Sequence, residues 1–90
     1  MQWYRVAIHT NEPSAADQSA TSLIKDVGAA YRAAGAPDGV QVYHRPLGPT
    51  DHFYYLSPAA ASLVKDDLDS RNASPCDRPR NLTDLLEISL

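Results

Sequence analysis

A chain of 90 residues with 43% apolar and 21% charged side chains has the composition of one globular domain, residues 1–90. Its formal charge of −3 argues against a protein that mainly binds phosphate backbones, which usually carries a basic excess. No apolar run is long enough to span a bilayer and no signal peptide is recognisable, so we expect a cytoplasmic protein with no membrane partner. Its single cysteine, Cys76, excludes an internal disulfide and fits a reducing compartment.

The first element is a predicted strand over residues 3–9, WYRVAIH. Tyr4, Val6 and Ile8 fall on one face, which is the natural core face because strand side chains alternate. The other face carries Trp3, Arg5, Ala7 and His9.

A helix is predicted next, over residues 13–34, because apolar side chains recur at spacings of three and four. Thr10 or Asn11 is the expected cap. Gly35, followed closely by a proline, is expected to end the helix. The apolar stripe comprises Ala20, Leu23, Ile24, Val27, Tyr31 and Ala34.

Two further strands are predicted over residues 39–44, GVQVYH, and 52–56, HFYYL. The proline- and glycine-rich loop between them is short, which predicts an antiparallel hairpin. Ser57 and Pro58 then favour a helix start, because a serine hydroxyl caps free N–H groups and proline suits the first helical position.

The second helix is expected to end at Asn72, which tolerates the left-handed conformation, before a loop over residues 73–81. The last segment, residues 82–90, is ambiguous. Leu86, Ile88 and Leu90 alternate with polar residues and favour a strand, although one or two helical turns remain open.

The predicted order β-α-β-β-α-β favours an α+β fold of the ferredoxin-like type. This is a two-layer sandwich with a four-stranded antiparallel sheet and both helices on one face. Right-handed connections then require the first two strands to run parallel, with the third strand between them. Element order alone supports this interpretation, and many unrelated functions share that order.

All three histidines fall at one end of this predicted sheet. His44 and His52 share the helix side and lie on adjacent strands, so they can meet, whereas His9 lies on the opposite face. Three imidazoles are a composition that binds transition metals, but strand-end residues reaching solvent explain them as well. We therefore predict a polar cluster of His9, His44 and His52, with no metal and no cofactor.

An aromatic surface is predicted on the sheet face without helices. Aromatic patches on such a face usually mark an interface or a ligand surface. The sequence leaves open a homodimer, a small-molecule ligand and bases of single-stranded RNA. The surface comprises Trp3, Arg5, Tyr43, Phe53 and Tyr55.

We favour a small binding or interaction module without catalysis of its own, which self-associates through this surface. The alternative is a small cofactor-independent enzyme, oxygenase- or isomerase-like, with a pocket at the histidine edge. RNA binding is the second alternative, disfavoured because the third strand lacks the flanking glycine and basic residues of RNA-recognition domains. The candidate groups of the enzyme would be His9, His44, His52, Tyr43 and Tyr54.

Overall fold

A five-stranded antiparallel sheet organises the computed structural model, which describes residues 1–90. Its strands are β1 (Trp3–His9), β2 (Val42–Pro46), β3 (Asp51–Leu56), β4 (Ala73–Cys76) and β5 (Leu86–Glu87). The helices are α1 (Pro13–Ala33), α2 (Pro58–Leu63) and α3 (Lys65–Leu68), with 3₁₀ turns at Asp69–Arg71 and Leu82–Asp84. The predicted α+β class is confirmed.

The strand order across the sheet is β4-β1-β3-β2-β5. β3 pairs antiparallel with both β1 and β2, so β1 and β2 run parallel with β3 between them, as predicted. The prediction of four strands is wrong, because the structure contains five. The additional strand comes from the segment that was predicted to be a loop.

All three helices contribute to one hydrophobic core on the same face of the sheet, which we call the helix face. α1 contributes through Leu23 and Val27, which are almost fully buried. Its cap differs from the prediction: Glu12 precedes the helix without a side-chain cap, and Thr10 donates its hydroxyl hydrogen to the Glu12 carbonyl. The strands supply Val6, Ile8, Val42, Tyr54 and Leu56 to the core.

Ser57 joins three segments of the chain at the end of β3. Its Oγ accepts hydrogen bonds from the N–H groups of Ala60 and Gln41, and it donates to the carbonyl of Gly39. It therefore caps α2 as predicted and also fixes the backbone that enters β2. Ser57 is 2% exposed, so these backbone groups have little access to water.

This junction explains why the predicted bounds of the second strand were wrong. Gly39 has a φ of +82°, a left-handed conformation that glycine adopts without strain, and it turns the chain. Residues 39–41 then bond to Ser57 and not to a neighbouring strand. β2 begins at Val42 and continues to Pro46, which pairs with His52.

The second predicted helix is divided at Val64, which leaves helical geometry with φ −122° and ψ 26°. Val64 remains buried at the interruption, and Leu68 remains buried in the helix that follows it. The chain then ends its helical course at Asn72, whose φ of +58° is the left-handed conformation expected from the sequence.

The prediction of a loop over residues 73–81 is wrong for its first part. Ala73–Cys76 forms β4, which pairs with β1 at the edge of the sheet. Pro75 disfavours a strand prediction, but an edge position tolerates a proline because its missing N–H faces away from the ladder. The last segment contains both open alternatives: a 3₁₀ turn at Leu82–Asp84 and the short strand β5.

β4 and β5 lie at opposite edges of the sheet, so the chain between them must cross it. This crossing segment, residues 77–85, runs over the face opposite to the helices, which we call the helix-free face. A groove lined jointly by Arg45 and Tyr55 of that face and by residues of the crossing segment demonstrates this course. None of the helices combines the length and the apolar character required to span a membrane.

Replacing Ser57 by alanine is expected to destabilise the protein by about 2–3 kcal/mol. The variant loses the cap of α2 and leaves the partly buried Gln41 N–H and the Gly39 carbonyl without their side-chain partner. Urea unfolding followed by circular dichroism measures the change. Ser62→Ala, at an exposed position of the same helix, is the matched control and should differ little from the wild type. Equal stability of the two variants would contradict the role assigned to Ser57.

Candidate functional site

Trp3 and Tyr43 form a small buried cluster on the helix-free face. They are 9% and 7% exposed, and their ring centroids lie 6.3 Å apart at an interplanar angle of 30°. Neither belongs to the main core cluster on the helix face. The sequence predicted both as ligand or interface residues on an open face, whereas their rings are covered within the monomer.

The crossing segment encloses a groove of about 580 Å³ against the strands. This volume lies within the range of about 300–1,000 Å³ that is usual for small-molecule sites. Arg45 and Arg80 oppose Asp77 and Asp84 in its lining, and Tyr55 contributes an aromatic side chain. No ion pair joins these four charged groups. The remaining lining residues are Pro46, Pro79, Asn81 and Leu85.

Arg5, Phe53 and Tyr55 form the accessible part of the predicted aromatic surface. All three are partly exposed and lie on the two central strands, β1 and β3. The guanidinium carbon of Arg5 lies 4.5 Å from the centroid of the Phe53 ring, which is a cation–π arrangement. Phe53 and Tyr55 meet edge to face, with centroids 6.4 Å apart. Because Arg5 and Tyr55 are direct cross-strand partners, the three side chains form one contiguous patch.

His44 and His52 meet on the helix face, as the sequence predicted. The distance between His44 Nε2 and His52 Nδ1 is 2.9 Å, so one ring donates an N–H to the other. The His44 ring also stacks on Tyr54, with centroids 4.5 Å apart and an interplanar angle of 6°. We call His44 and His52 the histidine pair. Tyr54 is only 4% exposed, so the His44 ring that stacks on it is held against the core.

The surroundings of His44 favour its uncharged form. Burial, and to a smaller extent the charge of His52, lower the pKa of His44. Burial, together with the negative charge of Asp17 on α1, raises the pKa of Tyr54. The ring stacked on His44 is therefore a neutral phenol at neutral pH.

His9 does not join the histidine pair. It lies on the helix-free face, where its Nδ1 contacts the carboxylate of Asp51, its cross-strand partner. This hydrogen bond is the main cause that lowers the pKa of Asp51. The three histidines therefore occupy two faces, and no group of three or more histidine, cysteine or acidic side chains is arranged to hold a metal ion.

Cys76 ends β4 at the start of the crossing segment. Burial raises the pKa of its thiol, which Arg5 opposes and Asp77 reinforces. The raised pKa leaves the side chain as the uncharged thiol at neutral pH, which is the unreactive form of a cysteine.

The residues that the sequence interpretation missed are those of the crossing segment. Pro79 and the neighbouring arginines and aspartates resemble an ordinary polar loop, and only the edge positions of β4 and β5 bring them onto the sheet. The pairing of Asp51 with His9 could have been found, since both stand at the ends of adjacent antiparallel strands. Comparison with protein-family models, curated proteins and solved structures found no match to this chain.

The free energy of unfolding is expected to fall as the pH is lowered from about 7 to about 5. The pKa of His44 in the folded protein lies below the ordinary histidine value of 6.5, so the unfolded chain binds more protons in this range. Acid therefore favours unfolding. Denaturant unfolding at a series of pH values measures the slope of the free energy of unfolding against pH.

His44→Gln should make this pH dependence shallower, because the depressed titration is removed. His9→Gln is the control, since the exposed His9 lies on the other face and its replacement should leave the slope of this range nearly unchanged. An unaltered slope in His44→Gln would refute the assignment.

Proposed function

We propose that the protein is a small binding module that self-associates as a homodimer through the helix-free face of its sheet. The observation that carries the proposal is the accessible patch of Arg5, Phe53 and Tyr55 on the central strands. Trp3 and Tyr43, on the same face, are already covered within the monomer, whereas this patch has no intramolecular cover of that extent. Aromatic and arginine side chains are enriched at protein interfaces.

The edges of the sheet support association by the face. The edge strands are short, four residues in β4 and two in β5, and β4 contains Pro75. Short edge strands and proline disfavour pairing with another chain, so extension of the sheet is a poor route to a dimer. The helix-free face, in contrast, offers accessible aromatic side chains for association.

The charges around Phe53 support a symmetric contact between two copies. Arg45 is its cross-strand neighbour on β2, and Asp51 precedes it by two residues on the same face. Arg45 and Asp51 lie on different sides of Phe53. A two-fold axis near Phe53 therefore places Arg45 of one copy opposite Asp51 of the other. A standard interface buries about 800 Å² per partner, roughly one seventh of the 5654 Å² surface of the chain.

The strand order supports a finer description of the fold. We propose that β1–β4 with the helices form the ferredoxin-like arrangement, to which β5 adds an edge strand beside β2. The order β4-β1-β3-β2 and the antiparallel pairing of β3 with both neighbours support it. The free thiol of Cys76 supports a reducing, cytoplasmic setting, which we also propose.

Phe53→Glu is expected to raise the dimer dissociation constant by about tenfold or more, since it places a charge at the centre of the contact. Sedimentation equilibrium of the wild type and the variant over a range of concentrations measures this constant. Circular dichroism of the same samples verifies that the variant is folded.

Ala29→Glu provides the matched control, because it adds the same charge at an exposed position of α1. This variant should dimerise like the wild type. A wild-type protein that remains monomeric at high concentration would remove the proposal, as would a folded Phe53→Glu variant with unchanged association.

A further inference from the structure

The contact within the histidine pair requires that at least one of its two facing nitrogens carries no proton. At 2.9 Å, one nitrogen donates an N–H and the other accepts it. When both rings are imidazolium, every ring nitrogen carries a proton, so two N–H groups would face each other and two like charges would adjoin. The doubly protonated pair therefore cannot keep this contact.

The charged and titratable groups around the pair come from three elements. Tyr54 and Asp51 belong to β3, Asp17 belongs to α1, and Arg45 follows His44 on β2. Asp17 acts electrostatically on Tyr54, and Asp51 bonds to His9 on the other face. Neither carboxylate forms a hydrogen bond to a ring of the histidine pair. A second proton on the pair therefore gains no hydrogen bond to a carboxylate.

His44 also lies beside the weakest strand pairing of the sheet. β5 pairs with β2 at only two positions, Tyr43 with Glu87 and His44 with Leu86. One further backbone bond, from the Ile88 N–H to the Val42 carbonyl, follows this pairing. His52 lies on β3, on one side of His44, and β5 lies on the other side with Leu86 as the cross-strand partner of His44, so the repulsion pushes the His44 ring toward β5.

β5 holds one end of the crossing segment, which runs over the helix-free face, the face on which Trp3 and Tyr43 are buried. We propose that double protonation of the histidine pair detaches β5 from β2 and lifts the crossing segment off the helix-free face. The protein then has a closed form near neutral pH and a form in mild acid whose aromatic face is more exposed. This device stands independently of the proposed self-association.

The only tryptophan of the chain reports the transition directly. Acrylamide quenching of Trp3 fluorescence is measured from about pH 7.5 to about pH 5, the range in which histidine changes charge. We expect the quenching constant to rise by at least about twofold, as local opening exposes the ring. At about pH 5, hydrogen exchange at the Ile88 amide should be faster in the wild type than in His44→Gln, because only the wild type detaches β5.

Matched variants distinguish the effect of protonating the histidine pair from the effect of protonating other groups. His44→Gln should abolish the rise in quenching, and His9→Gln should retain it, because His9 lies on the other face. His52→Asn replaces His44→Gln if the latter does not fold. Far-UV circular dichroism accompanies each measurement, because global unfolding would also expose Trp3.

Three outcomes would overturn the inference. The first is a wild-type protein whose Trp3 quenching does not change with pH. The second is an equal rise in His44→Gln or His52→Asn. The third is loss of the far-UV signal in parallel with Trp3 exposure, which would mean that the whole fold opens and not the crossing segment alone.

Discussion

One buried hydroxyl group, that of Ser57, holds together the part of the fold on which the rest depends. It bonds to Gln41 and Gly39, which lead into β2, and it caps α2 immediately after β3. The register of the β2–β3 hairpin and the start of α2 are thus fixed by one side chain. Because His44 lies on β2 and His52 on β3, the histidine pair depends on the same register.

The two faces of the sheet have different chemical characters. The helix face is a conventional apolar core, into which the histidine pair projects at one margin beside Tyr54. The helix-free face has a second, smaller aromatic cluster beneath a segment without regular secondary structure over most of its length. Central strands therefore carry buried aromatics on both faces, which a sheet with one fully solvated face would not do.

The features that could be predicted from sequence are those determined locally. The alternation in β1, the periodicity of α1, and the cap at Ser57 each follow from short-range geometry, and each is present. The meeting of His44 with His52 was also predictable, because adjacent strands and phase alone bring them together.

The features that could not be predicted depend on tertiary contacts. β4 contains Pro75, and β5 has two residues, so neither has a pattern that distinguishes it from a loop. Both become strands because β1 and β2 present unpaired backbone edges to them. The burial of Trp3 and Tyr43 was not predictable either, because it depends on a face that the chain crosses only when β4 and β5 take opposite edges of the sheet.

The location of β4 and β5 has a consequence for the order of events during synthesis. α1 and the three strands β1, β2 and β3 are complete before Ala73 is translated, yet both outer edges of that three-stranded sheet then lack a partner. Unpaired edges and an uncovered Trp3 make such an intermediate prone to aggregation. One late stretch of the chain, beginning with β4 and ending with β5, pairs with both edges and crosses the aromatic face. The nascent chain therefore stays prone to aggregation until that stretch has left the ribosome.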